Sequence, residues 1–106
     1  MPFRVRIPDS VGKLIRDIRP KVDVEVLAQL AVLAERPRIG TPAPGAREFE
    51  GLLAYRFRVD RLPLSREFAV LYTFDPKEED IFVVDFVGVL DGASMTFGTA
   101  EFQKRR

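Results

Sequence analysis

A chain of 106 residues with 17 basic against 16 acidic side chains, and no cysteine, histidine or tryptophan, already narrows the field. The length fits one domain with one core, and the missing Cys and His exclude a disulfide scaffold, a thiolate nucleophile, imidazole acid–base chemistry and cysteine-based metal sites. A formal net charge of +1 argues against an overall basic coat for nucleic acid, leaving local patches open.

The opening residues hold no apolar signal-peptide core, and no apolar run approaches the roughly 20 residues that span a bilayer. The expectation is a cytoplasmic protein with no membrane association. Phe3-Arg4-Val5-Arg6-Ile7 alternates with period 2, as a half-buried strand does. Pro8-Asp9-Ser10 reads as a helix start with Asp9 or Ser10 as cap, and Val11, Leu14, Ile15 and Ile18 then form an apolar stripe. Arg19-Pro20 ends that helix. A second helix follows, with Val22, Val26, Leu27, Leu30, Leu33 and Ala34 as its apolar stripe and Asp23, Glu25, Gln29 and Glu35 toward water, closing at Arg36-Pro37. Two amphipathic helices joined so closely pack as a hairpin.

Pro37, Gly40, Pro42, Pro44 and Gly45 mark a loop. Three strand-like runs come next. The first, Leu52 to Leu62, includes the alternating Tyr55-Arg56-Phe57-Arg58-Val59. The second, Glu67 to Phe74, is apolar on both faces, as a central strand is. After the charged turn Asp75 to Asp80, where Glu78, Glu79 and Asp80 read as a solvated face, Ile81 to Val87 is the third, interrupted on one face by Asp85. From Gly88 to Gly98 regularity is lost. The order β-α-α-β-β-β makes a two-layer α+β domain: an N-terminal strand, a helical hairpin, then a three-strand antiparallel meander. The hairpin covers one face of the sheet, and the other can remain open to solvent or to a partner.

Gly40 and Gly45 lack the spacing of a phosphate loop, and Ser65 and Ser94 have no histidine to activate them. No metal and no cofactor are expected. The remaining chemistry is basic. Arg56 and Arg58, two apart on a strand, leave the same face with Cα atoms about 6.5 Å apart, a spacing that suits adjacent phosphates. With Arg61 and Arg66, residues 55–66 hold four Arg against one carboxylate, Asp60. Arginine's forked donors fit phosphate oxygens. The same pattern also keeps an exposed sheet face soluble and discourages edge pairing, and the spacing leaves both readings open. Tyr72 lies in the apolar run and reads as core.

Several segments resemble the RelE/ParE superfamily of bacterial toxins: Phe3-Arg4-Val5-Arg6-Ile7, Leu27 to Pro37 at the end of the hairpin, Phe49 to Val59 with its Tyr55-Arg56-Phe57-Arg58-Val59, Val70-Leu71-Tyr72, and Phe86-Val87-Gly88. The resemblance covers about residues 3–90. It implies a single RelE/ParE-like domain over 1–106, with an irregular tail at 91–106. It further implies a toxin of a toxin–antitoxin pair, with a cognate antitoxin as partner. RelE-like members cut messenger RNA on the ribosome, where the RNA 2′-OH attacks its own phosphate and basic side chains stabilise the developing charge. By resemblance, Arg56 and Arg58 are the candidate catalytic residues, and Arg61, Arg66 and Arg47 the candidate RNA-binding residues. ParE-like members poison DNA gyrase, and a non-catalytic module on the same fold, a gyrase inhibitor or an inactive homologue, is the alternative.

The chain departs from the RelE pattern at several positions. Ala69 stands where the family has an Arg, Val89 and Leu90 follow Gly88 where a basic residue is expected, and Phe97 or Phe102 is the nearest counterpart of a C-terminal Tyr. The apolar residues Val89, Leu90, Met95 and Phe97 are expected either to meet a partner segment or to fold back on the domain.

Overall fold

The computed structural model describes residues 2–18, 21–42, 51–60, 66–90 and 94–97. The opening alternation becomes strand β1 (Arg4–Arg6), with both arginines exposed and Val5 turned toward the core. Helix α1 (Asp9–Asp17) follows. Its N-cap is Pro8 in extended geometry, without a side-chain cap, so neither Asp9 nor Ser10 plays the expected role. Pro8 has no N–H to satisfy, and its carbonyl accepts the first helical bond from the Gly12 amide at 2.9 Å. Val11 and Ile15 are buried as the stripe requires, with Leu14 and Ile18 packed beside them.

Helix α2 (Asp23–Glu35) buries Val26, Leu30, Leu33 and Ala34, with Val22 buried at its N-cap. Leu27, expected in that stripe, is 59% exposed. The reason is local. α2 is apolar on almost every side between Val24 and Leu33, so periodicity does not single out one face. The seam is taken by residues 26, 30 and 33, and position 27 lies about 100° further round the helix.

The two-residue strand β2 (Thr41–Pro42) precedes β3 (Leu53–Val59), β4 (Arg66–Asp75), β5 (Asp80–Leu90) and β6 (Ser94–Phe97). The expected meander is β3–β4–β5, each pair antiparallel. β2 extends the sheet beyond β3, and the strand order is β1-β5-β4-β3-β2. β4 takes one edge of β5 throughout. The other edge is shared by β1, parallel at residues 80–82, and β6, antiparallel at residues 88–90. This double pairing carries β5 past Gly88 to Leu90, where irregular chain was expected.

Asp85 is reconciled with its strand by one extra residue. The β4–β5 register pairs Leu71 with Asp85 but Tyr72 with Val83, leaving Val84 as a bulge. Ile81 and Val83 face the helices before the bulge, and Phe86 does so after it, joining the main core. Without the shift, strict alternation would aim Asp85 into that core. The core thus sets residues such as Val11, Ile15, Val26, Leu30 and Leu33 of the helical layer against Phe57, Phe68, Tyr72, Ile81, Val83 and Phe86 of the sheet, among others. Phe68 and Phe86 stack at 5.3 Å between ring centroids, and Phe57 lies 6.0 Å from Phe68.

The helix-free face, which could have remained wholly open, is open only in part. Ala69, Leu71, Asp85 and Val87 lie on it and are all buried. Its exposed side chains include Arg4 and Arg6 on β1, Phe82 beside them on β5, and Arg56 and Arg58 on β3.

Candidate nucleic-acid interface

Alternation along β3 fixes where its arginines go. Leu53, Tyr55, Phe57 and Val59 pack toward the helices, and the Tyr55 hydroxyl donates to Gln29 Oε1 on α2 at 2.5 Å. With that side committed to the core, Arg56 and Arg58 both leave on the opposite face and are exposed. The expected pair is therefore present, on one face.

The register then supplies what the sequence reading lacked. Arg58 is paired with Glu67 on β4, and Arg56 with Ala69. Glu67 Oε2 accepts a hydrogen bond from Arg56 Nε at 2.9 Å, and its Oε1 lies 3.9 Å from Arg58 Nη2. One carboxylate thus lies against both guanidiniums, its side chain 20% exposed against 41% and 57% for Arg56 and Arg58. Both arginines have further interactions besides Glu67. The count of four Arg against Asp60 alone over residues 55–66 missed this acid because it comes from the next strand. Its signal was present: a hairpin closing symmetrically about the 60–65 turn places residue 67 opposite 58.

The same register gathers the departures from the RelE pattern around the arginines. Ala69 is the neighbour of Arg56 and lies beside Val87 of β5, and Glu67 is paired with Val89. Across three strands the six positions read Arg56–Ala69–Val87 and Arg58–Glu67–Val89, two cations and one anion in a neutral surround. Phe97 on β6 pairs with Gly88, next to that row. Arg47, Arg61 and Phe102 lie outside the described residues. Arg66 opens β4 opposite Val59, with its side chain outside the description, as are those of Val89, Leu90, Met95 and Phe97.

A second arginine pair on this face is held differently. Arg4 Nε donates to Asp80 Oδ1 at 2.8 Å, and Arg6 Nε lies 3.4 Å from Asp80 Oδ2. Asp80 was expected in a solvated turn. It instead begins β5, is 5% exposed, and fastens β1 to the parallel strand beside it. These arginines neutralise a buried acid.

On the helical layer, Val24 is 71% exposed and Leu27 59%, and Ala28, Ala31 and Val32 are exposed beside them. The outward side of α2 is therefore apolar where a solvated helix would carry charge. Leu27 also lines a groove with Ile7, Gly12, Ile15 and Arg16. Among the described residues, no three of His, Cys, Asp and Glu come together as a metal site, and no helix is long and apolar enough to cross a membrane.

No family model and no curated protein matches the chain. Solved structures do. A mutant of the Escherichia coli toxin RelE in the free state is similar at 16% identity and TM-score 0.59, over 99% of this chain and 94% of that one. The RelBE2 toxin–antitoxin complex from Mycobacterium tuberculosis contains a chain similar at 18% identity and TM-score 0.56, over 86% of this chain and 95% of that one. The likeness is one of fold, and the chain has a RelE-like fold.

Proposed function

We propose that this chain, with its RelE-like fold, is the toxin of a toxin–antitoxin pair and acts on messenger RNA bound to the ribosome, with Arg56 and Arg58 as its phosphate-contacting centre. The observation that carries this reading is the exposed pair on the helix-free face of the sheet, on adjacent outward positions of one strand. Two guanidiniums at that spacing can hold a non-bridging phosphate oxygen and stabilise the charge that builds when a 2′-OH attacks the phosphorus. Neither takes the 2′-OH proton, since a guanidinium has no acceptor at neutral pH; that proton passes to water as the P–O5′ bond breaks, leaving a 2′,3′-cyclic phosphate on one fragment and a protonated 5′-hydroxyl on the other. Their part is to bind the scissile phosphate and to lower the energy of its pentacoordinate state. Arg61, Arg66 and Arg47 extend the contact along the RNA backbone in this reading, and the site is cytoplasmic.

The partner is a cognate antitoxin. The outward apolar side of α2, centred on Val24 and Leu27, supports a covering segment there. The apolar residues Val89, Leu90, Met95 and Phe97, the other basis for that expectation, have side chains outside the described residues. A second reading, a non-catalytic module on the same fold such as a gyrase inhibitor or an inactive homologue, is favoured by Ala69 and Val87 beside Arg56, because they add no donor to the pair.

Induced expression in a bacterial host tests the reading. Translation should stop, Arg56→Ala and Arg58→Ala should relieve the arrest, and co-expression of a cognate antitoxin should suppress it. Arrest of DNA replication with translation intact would support the gyrase reading, and unaffected growth would refute a toxin.

A further inference from the structure

We infer that Glu67 is a built-in competitor for the arginine pair: its carboxylate occupies the place between Arg56 and Arg58 where a phosphate would sit, and so sets how tightly the pair holds RNA. The inference rests on the reading of Arg56 and Arg58 as phosphate contacts, and adds a residue that tunes them.

The geometry has three parts. Glu67 is the direct cross-strand neighbour of Arg58, and its hydrogen bond goes diagonally to Arg56 Nε at 2.9 Å. The contact with Arg58 is looser, at 3.9 Å, and that guanidinium is the more exposed. A carboxylate and a phosphate present oxygens of similar charge and size to a guanidinium, so they compete for the same donors. Finally, the positions beside Glu67 that could offset it are Ala69, two residues along β4, and Val89, its partner on β5, and neither residue type carries a charge.

Two consequences follow. An isolated phosphate must either displace Glu67 or approach while its negative charge remains, and like charges brought together weaken binding. A continuous RNA backbone supplies several phosphates to neighbouring cations and can bear that loss. The acid thereby favours an extended polyanion over single small anions, and an unpaired cationic pair is never presented to solvent. A purely orienting role for Glu67 would have the opposite sign, because removing it would then loosen Arg56 and weaken the hold on phosphate.

The isosteric Glu67→Gln separates these roles, with Glu67→Ala as a second variant and Arg56→Ala as reference. Binding of a fluorescent single-stranded 12-nucleotide RNA is followed by anisotropy at two salt concentrations, and binding of inorganic pyrophosphate by calorimetry. Circular dichroism melting checks that each variant is folded. Glu67→Gln should bind pyrophosphate about tenfold more tightly and the RNA more tightly by a smaller factor, with the salt dependence of RNA binding steeper by about 0.7 in the log–log slope, as for one more neutralised phosphate. Glu67→Ala should change in the same direction. If Arg56→Ala weakens RNA binding while Glu67→Gln leaves it unchanged or weaker, the competitor role is overturned and the arginine reading stands. If pyrophosphate binding rises as stated but no variant binds RNA, the competitor role stands and the RNA reading fails. If neither probe binds wild type or Glu67→Gln, both are overturned.

Discussion

The Tyr72 hydroxyl and the Gly40 backbone are built around each other: the Gly40 amide donates to that hydroxyl at 2.9 Å, and a Cβ on Gly40 would stand 2.6 Å from its oxygen. The hydroxyl in turn donates to the Pro37 carbonyl at 2.7 Å, so a buried core residue on β4 ties down the turn that leaves α2. The Gly40→Ala protein must move a packed phenol ring and is expected to lose about 1–3 kcal/mol. Tyr72→Phe leaves two backbone groups without that partner and is expected to lose about 1–3 kcal/mol. Because both changes break the same contact, their costs in urea denaturation should not add in the double variant. Full additivity would contradict the coupling.

Stability should fall at alkaline pH for a reason traceable to the same residue. Burial raises the Tyr72 pKa, the hydrogen bond from Gly40 lowers it, and Tyr55 raises it, with burial largest. The folded chain therefore keeps the phenol proton to higher pH than the unfolded chain, which begins to lose it near the ordinary tyrosine value of about 10. Above that value the unfolded state binds fewer protons, so unfolding becomes easier as pH rises toward the folded pKa. Below it the contribution is fully present. Comparing wild type with Tyr72→Phe at pH 8 and pH 11 checks this: wild type should lose more of its stability over that interval.

Asp80 and its two arginines should respond asymmetrically to substitution. The acid is buried, whereas Arg4 and Arg6 are 64% and 54% exposed. Asp80→Asn leaves two guanidiniums that water can solvate, and is expected to cost about 1 kcal/mol. The double change Arg4→Ala with Arg6→Ala leaves a buried carboxylate without its cations, and is expected to cost about 3 kcal/mol. Denaturant unfolding at pH 7 orders the two variants. The reverse order would mean that the acid is not held chiefly by these partners.

Deletion of Val84 should be tolerated. The bulge holds one residue more than the ladder needs, and removing it leaves Ile81, Val83, Phe86 and Gly88 on the helix side with Asp85 still opposite Leu71. Deletion of Val70 from β4 has no such slack and sends Phe68 to the wrong face. Circular dichroism should show a folded protein for the first deletion and loss of cooperative melting for the second.

The layers and the meander were legible in the sequence because each rests on local periodicity. Val11 with Ile15, the alternation of Tyr55 to Val59 and the two-sided apolar run at 68–72 all ended where their spacing pointed. What escaped was set by pairing between distant segments. Asp80 looked like one more acid in a charged turn until β1 lay beside it, 76 residues earlier in the chain. Asp85 looked like a defect in a strand until the register with β4 showed the bulge. Leu27 was misplaced because α2 offers apolar residues all round. At the candidate site, Arg56 and Arg58 were read correctly as sharing a face, but Glu67 needed the hairpin register, and with it the balance of charge changed.

Cleavage of messenger RNA on programmed ribosomes, mapped by primer extension, tests the central claim most directly. The purified protein should cut message in the presence of ribosomes, and Arg56→Ala should slow single-turnover cleavage by about 100-fold or more, as the loss of one transition-state donor does. Intact message after prolonged incubation, or cleavage that survives the loss of both Arg56 and Arg58, would contradict it.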